Sequence, residues 1–207
     1  HLAESPEEIE FICDGTGSLT TRLYPAVGWE YLVPKGSGYR PTEYLYRHAG
    51  LFPSNLLVHG VQLSHREIDL LAKQKMSLAL CHRSNAKLDV GKAPVAQLLK
   101  AGVKLCLGTD SMASNDSLSV WDEIAFAHSW FAGVCDAPSL LKMATIGGAE
   151  ALGLAEQLGS LSVGKLAQFQ VLRPQTAVTE NEIFDYLVAP GKSAEIEQVF
   201  HQGSCSV

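Results

Sequence analysis

Four side chains in this 207-residue sequence are of types that together could hold a metal ion and move protons: His1, Glu4, His59 and Asp110. Asp110 follows an apolar run, Val103 to Leu107, that stops at Gly108-Thr109 and gives way to Ser111-Met112-Ala113-Ser114-Asn115-Asp116. His59 closes the short apolar run Asn55 to Val58 and is followed by Gly60, while His1 opens the chain with Glu4 three residues on. In parallel α/β proteins ligands bind at the carboxyl ends of strands, so polar groups at three such ends form a coherent set. Imidazole and carboxylate together suit Zn(II) or Fe(II), and a metal with an open position makes hydroxide from water at neutral pH. Taken singly, the same residues have plain structural uses. Asp110 could cap a helix, His59 could be a satisfied core histidine, and Glu4 could be a first-turn carboxylate.

The elements that must position these groups alternate. Ser5-Pro6-Glu7-Glu8 has helix-start chemistry. From Asp14 to Pro41 the pattern dissolves into Gly, Pro and aromatics, which predicts a long loop able to cover a site, with Arg22, Trp29, Tyr31, Tyr39 and Arg40 as candidate ligand contacts. A helix is expected over Thr42 to Ala49. Strands are expected over Asn55 to Val58, Met76 to Cys81 and Val103 to Leu107. Helices are expected after Ser64-His65-Arg66-Glu67, which has capping-box spacing, and over Ala93 to Ala101, Leu118 to Phe131 and Pro138 to Leu154, the last loosened at Gly147-Gly148. Strand and helix recur every 20 to 30 residues or so, as in a parallel sheet with right-handed crossovers. Beyond Leu158 the pattern changes to short strands and turns, so the boundary falls near 156: residues 1–156 in the α/β unit and 157–207 in a small β portion.

Composition favours a core: 46% of residues are apolar and 18% charged. The formal charge is 16 minus 22, or −6, with no Lys/Arg run, which argues against nucleic acid or an anionic membrane as partner. No apolar stretch approaches the roughly 20 residues that span a bilayer. Five cysteines without C-x-x-C spacing read as reduced core thiols in a cytoplasmic protein.

Several pieces, taken as a set and in order, resemble the amidohydrolase superfamily, in the branch containing chlorotriazine hydrolases, S-adenosylhomocysteine-type adenosine deaminases and aminofutalosine deaminases. They are His1-Leu2-Ala3-Glu4, Val58-His59-Gly60, Ser84-Asn85, Leu107-Gly108-Thr109-Asp110-Ser111 with Ala113-Ser114-Asn115, and Ala144-Thr145-Ile146-Gly147-Gly148-Ala149 running to Gly159-Ser160-Leu161 and Gly164-Lys165. The resemblance implies an α/β fold: the C-terminal half of a metal-dependent (β/α)8 barrel of the TIM type, plus strands of a small β-sandwich. It implies His1 and Asp110 as metal ligands, Glu4 as proton relay and His59 as a group that orients the nucleophile, with one divalent metal, Zn(II) ahead of Fe(II).

The family's His-x-His pair is absent from the chain, and a closed barrel needs roughly 250 residues, so the sequence reads as the C-terminal half of a longer enzyme and inactive alone. Its expected partners are a small-molecule substrate, the missing N-terminal half of the barrel and further copies in a homo-oligomer. Two departures from the family pattern stand out. His82 replaces the usual Pro, which predicts a contact to substrate or, ahead of that, an altered loop conformation, and Gln168 replaces the usual Asp after Gly164-Lys165.

The implied reaction is hydrolytic deamination of an aminated purine nucleoside or related heteroaromatic ring. Two alternatives remain open: hydrolytic loss of chloride or another group from a triazine-like ring, and a noncatalytic half-barrel that serves as an assembly partner.

Overall fold

The computed structural model describes residues 1–206. Three parallel strands, β1 (Leu56–Val58), β2 (Ser77–Leu80) and β3 (Lys104–Leu107), lie side by side in that order. Their register aligns Leu57 with Leu78 and Leu105 in one row, and Val58 with Ala79 and Cys106 in the next. A fourth strand position precedes them in the chain: Leu2 bridges to His59 in parallel, its amide donating to the Val58 carbonyl (3.1 Å) while the Gly60 amide donates to its own carbonyl (3.0 Å). Four consecutive parallel positions, in chain order, bring the starts of four loops to one rim.

Helices cover the outer face. They are α1 (Pro6–Asp14), the single turn α2 (Tyr24–Ala26), α3 (Pro41–Arg47), α4 (His65–Lys73), α5 (His82–Lys87), α6 (Val95–Ala101), α7 (Val120–Trp130), α8 (Ala137–Ala144) and α9 (Ile146–Ala151). Leu57, Leu78, Leu80 and Leu105 point outward into a core with Ile68 and Leu71 of α4, Leu98 of α6, Ile124 and Ala127 of α7, and Leu140 and Met143 of α8. The other sheet face, at Ala79 and Cys106, is small.

Local chemistry accounts for the helix starts. Ser5 accepts from the Glu8 amide with Pro6 at the first position, Ser64 and Glu67 form the complete capping box, and Asp136 accepts from the Ser139 amide. Gly102 ends α6 in the left-handed conformation, φ 75°.

Four expectations need correction. Residues 14–41 are not an extended loop: a π-helical turn (Leu19–Leu23), α2 and a 3-10 turn (Glu30–Leu32) fold the segment on itself. The Ser37 hydroxyl donates to the Ile12 carbonyl (2.7 Å) and so pins the segment's far end back on α1. His82 does not sit in a loop. It starts α5, where it is buried edge-on against Phe131 (4.6 Å between ring centres), and that burial pushes its pKa down to about 3, so it stays neutral. The helix expected from Pro138 to Leu154 breaks at Thr145 (φ −123°, ψ −98°), because α9 turns to lay Gly147 on β3, where a Cβ would stand 2.8 Å from the Leu105 carbonyl oxygen. Finally, the segment after 157 holds an antiparallel sheet, β4 (Phe169–Leu172), β5 (Ile196–His201) and β6 (Ser204–Ser206), but also α10 (Ile183–Val188) and a 3-10 turn (Lys192–Glu195).

The corrected 14–41 segment also alters the reading of Arg40. Its Nε donates to Glu67 Oε2 (2.7 Å) and its terminal nitrogen to the Gln62 carbonyl, so its head is engaged inside the protein rather than free for a ligand. Glu67 is fully buried and also accepts from Ser64 and the Thr42 amide. Burial raises its pKa, but Arg40 and Ser64 outweigh that and hold the carboxyl below its ordinary value. Replacing Arg40 with Leu is expected to destabilise the protein by about 2 kcal/mol, the low side for breaking a buried pair because the guanidinium is a third exposed. Because the native Glu67 pKa is depressed, the stability it contributes is present above its unfolded pKa and lost as pH falls. Denaturant melts of wild type and R40L should therefore converge in acid.

Candidate functional site

Three of the four strand ends aim polar side chains at one point. Ligand atoms of His1, His59 and Asp110 all lie within 4.8 Å of one another. His59 Nε2 is 3.8 Å from Asp110 Oδ2, and the rings of His1 and His59 meet edge to face at 4.8 Å. Glu4 leans over the pair, with Oε1 3.6 Å from His59 Nδ1 and Oε2 3.9 Å from His1 Nδ1. The four candidates from the sequence are therefore brought together.

Backbone geometry does the aiming. Ala3, His59 and Asp110, each just past a strand or bridge, have φ of 50°, 76° and 59°. Non-glycine residues adopt this left-handed region at a cost of order 1–3 kcal/mol, so surrounding hydrogen bonds must impose it. At His59 they are the ladder bonds on either side, from its own amide to the Ala79 carbonyl (2.9 Å) and from Gly60 to Leu2. At Ala3 the amide, like that of Glu4, donates to the Glu8 carboxylate (2.8 and 2.7 Å), so α1's first turn fixes the His1–Glu4 corner.

Asp110 is gripped from three directions. Its Oδ2 accepts from the hydroxyls of Ser84 (2.7 Å) and Ser114 (2.9 Å), and its Oδ1 from the Ser111 amide (2.8 Å). Partial burial raises its pKa, but those bonds and His59 outweigh it, so the carboxyl titrates below its usual range and is ionised at neutral pH. Behind it, Asn115 Nδ2 donates both to the Thr109 carbonyl (2.6 Å) and to Glu123 Oε1 (2.7 Å), tying the strand end to α7. Glu123 is itself fully buried, and burial raises its pKa.

His59 has no exposed surface. Its Nδ1 faces Asn85 Oδ1 at 2.8 Å, and its Nε2 is buried without any hydrogen-bond partner. A buried, unsatisfied ring nitrogen costs free energy unless something occupies the space before it. The ionised Asp110 carboxylate and the His1 imidazole make a donor pair that fits a divalent metal, and the orphaned nitrogen of His59 faces the space beside them. Asn85, Ser84, Ser114 and Glu8 were missed as supporting groups. Ser84-Asn85 stood out only as a family motif, and no spacing signal reveals that one side chain reaches Asp110 and the other His59.

Cys81 and Cys106 lie under this site, and burial pushes their thiols up to about 12 and about 11, which makes them inert packing groups. All five cysteines are free. No helix among the described residues is long and apolar enough to cross a membrane.

A profile of the amidohydrolase family matches residues 35–203. The 5-methylthioadenosine/S-adenosylhomocysteine deaminase of Thermodesulfovibrio yellowstonii is 36% identical over 177 residues, covering 82% of this chain and 40% of the relative. An adenosine deaminase from Xanthomonas campestris, solved with bound zinc, superposes with a TM-score of 0.77 at 28% identity, over 99% of this chain and 44% of the other. A triazine hydrolase from Arthrobacter aurescens superposes at 0.73 with 26% identity, over 82% and 39%. The chain thus spans about 40% of the length of the curated relative it matches, and its fold is the C-terminal half of their (β/α)8 barrel plus a small β portion. With the profile match running from ahead of α3 to just past β5, over most of the sequence, the chain belongs to the amidohydrolase family.

Proposed function

We propose that these residues form part of the active site of a metal-dependent hydrolase that deaminates an aminated purine nucleoside or a related heteroaromatic ring. The observation that carries the reading is the convergence of His1, His59 and Asp110 around the orphaned Nε2 of His59. His1 and Asp110 would hold the ion, Zn(II) ahead of Fe(II), a preference supported by the zinc in the Xanthomonas campestris structure. When bound, a divalent ion lowers the pKa of water far enough to supply a hydroxide nucleophile at neutral pH.

Asp110, ionised and held at both oxygens, accepts the proton released from the water. His59 accepts a hydrogen bond at Nε2 and orients the nucleophile toward the ring carbon that bears the amine. Glu4 donates a proton to the adjacent ring nitrogen during attack and takes back the proton of the added hydroxyl, while the proton held by Asp110 passes to the amine as the C–N bond breaks. Ammonia departs and a ring carbonyl remains.

The remaining strands and ligands of the barrel are assigned to polypeptide outside these 207 residues, a reading supported by the partial coverage of the relatives. Residues 1–156 are assigned to the barrel and 157–207 to the sandwich portion, which is supported by the two separate three-stranded sheets. Exposed Trp29, Tyr31 and Leu32 support burial against another copy in a homo-oligomer, and the free thiols support a cytoplasmic location.

The test is product analysis with the full-length protein on adenosine-type nucleosides and chlorotriazines. Ammonia from the nucleosides is the expected result. Chloride from the triazines without ammonia would move the assignment to dechlorination, a reading the triazine hydrolase likeness keeps in view. Absence of both products, together with absence of tightly bound metal, would make this a noncatalytic half-barrel.

A further inference from the structure

Helix α5 touches the site at two adjacent residues and does so with different chemistry at each. Ser84 donates to Asp110 Oδ2, and Asn85 Oδ1 lies 2.8 Å from His59 Nδ1. Both residues are buried, Ser84 with no exposed surface and Asn85 1% exposed. The helix is anchored to α7, where the Arg83 amide donates to Glu123 Oε2 (3.4 Å), and Glu123 at the same time holds Asn115 behind Asp110.

A neutral imidazole carries its proton on one nitrogen only, and the partner of the other nitrogen decides which. One acceptor lies within hydrogen-bond distance of His59 Nδ1, Asn85 Oδ1 at 2.8 Å, while Glu4 Oε1 stands off at 3.6 Å. Nothing among the described residues accepts from or donates to Nε2. An acceptor at Nδ1 places the proton there and leaves the lone pair on Nε2, the nitrogen that faces Asp110. If the Asn85 amide were reversed, its NH2 would point at Nδ1, the proton would move to Nε2, and the ring would present a donor to the site instead.

We propose that Asn85 is a positioning residue that selects the Nδ1–H tautomer of His59, so that a lone pair at Nε2 faces the reacting water. The inference rests on the active-site reading above for its functional meaning, but the tautomer can be measured without any turnover. As support for a neighbouring group that does the chemistry, Asn85 falls among the contacts whose loss typically costs 10- to 100-fold in activity.

The experiment uses the full-length protein with its histidines labelled with 15N, stripped of metal by chelation and held near pH 8, where an ordinary imidazole is neutral. Long-range 15N–1H spectra then report which ring nitrogen carries the proton, with the His59 signals assigned from their loss in H59Q. Wild type should show His59 protonated at Nδ1. Asn85→Asp, which keeps the acceptor, should show the same tautomer, whereas Asn85→Leu should shift the ring to a mixture and lower kcat by about ten-fold or more while KM stays near its wild-type value.

An Nε2–H tautomer in wild type overturns the proposal, and that spectrum decides the matter even if the Leu variant does not fold. So does an unchanged tautomer in a folded N85L protein. A protein that turns over none of the substrates tested yet shows Nδ1–H in wild type and a mixture in N85L would sustain the tautomer inference and reject the reaction proposed above.

Discussion

Asp110→Asn in the full-length protein is expected to lose its bound metal and at least on the order of 10^4-fold in turnover, while folding normally. The substitution removes one negative charge and almost no volume. Asparagine accepts the left-handed φ of 59° at this position better than most residues, so the backbone turn survives. Of the three hydrogen bonds that grip the carboxylate, those at the retained carbonyl oxygen persist, and a rotated hydroxyl on Ser84 or Ser114 can accept from the new NH2. What cannot be recovered is the anionic oxygen facing His59 Nε2 at 3.8 Å. Elemental analysis should find far less than one metal per chain, alongside a thermal midpoint for the metal-free variant close to that of metal-free wild type. Stoichiometric metal and ordinary turnover in D110N would remove Asp110 from the ligand set.

How much of this was legible in the sequence depends on how far each contact reaches along the chain. The strands were legible because Leu56–Val58, Ser77–Leu80 and Lys104–Leu107 lie within apolar runs bounded by polar or glycine breaks, a local signal. The Ser64–Glu67 capping box was legible for the same reason, since both partners lie within one helical turn. Helix α5 was not. His82-Arg83-Ser84-Asn85-Ala86-Lys87 has no apolar period, and what holds it is tertiary: a buried His82 against Phe131, and Glu123, 40 residues on, accepting from the Arg83 amide. The grip of Arg40 on Glu67 spans 27 residues and hides equally well, which is why a side chain that looked available to a ligand turned out to be committed. The left-handed φ values at His59 and Asp110 were hidden too, because the sequence places the glycines near them, at Gly60 and Gly108, rather than on them, and Ala3 has no glycine nearby at all. The motif set named the four polar residues at the site, but their convergence is a consequence of register, with Leu2 opposite His59 and Ala79 opposite Cys106.

Glu4→Gln should separate binding from chemistry. Glu4 stands beside the metal-type cluster rather than in it, 3.6 Å from His59 and 3.9 Å from His1, with its side chain about a fifth exposed toward the open rim. Its backbone is held independently of its carboxylate by the bond from its amide to Glu8 Oε2 (2.7 Å), so the substitution leaves the corner in place. Glutamine keeps the length and can still donate a hydrogen bond to a ring nitrogen, but it cannot give up a proton. If Glu4 only bound substrate, E4Q would raise KM or change little. If it transfers a proton, metal content and KM should stay near wild type while kcat falls by roughly 10^2- to 10^4-fold, the range for loss of a positioned general acid. The two readouts, metal by elemental analysis and ammonia release at saturating substrate, distinguish this from D110N, where both collapse together. Near-normal kcat in E4Q would reject the relay and leave Asp110 as the chain's own proton-transfer group.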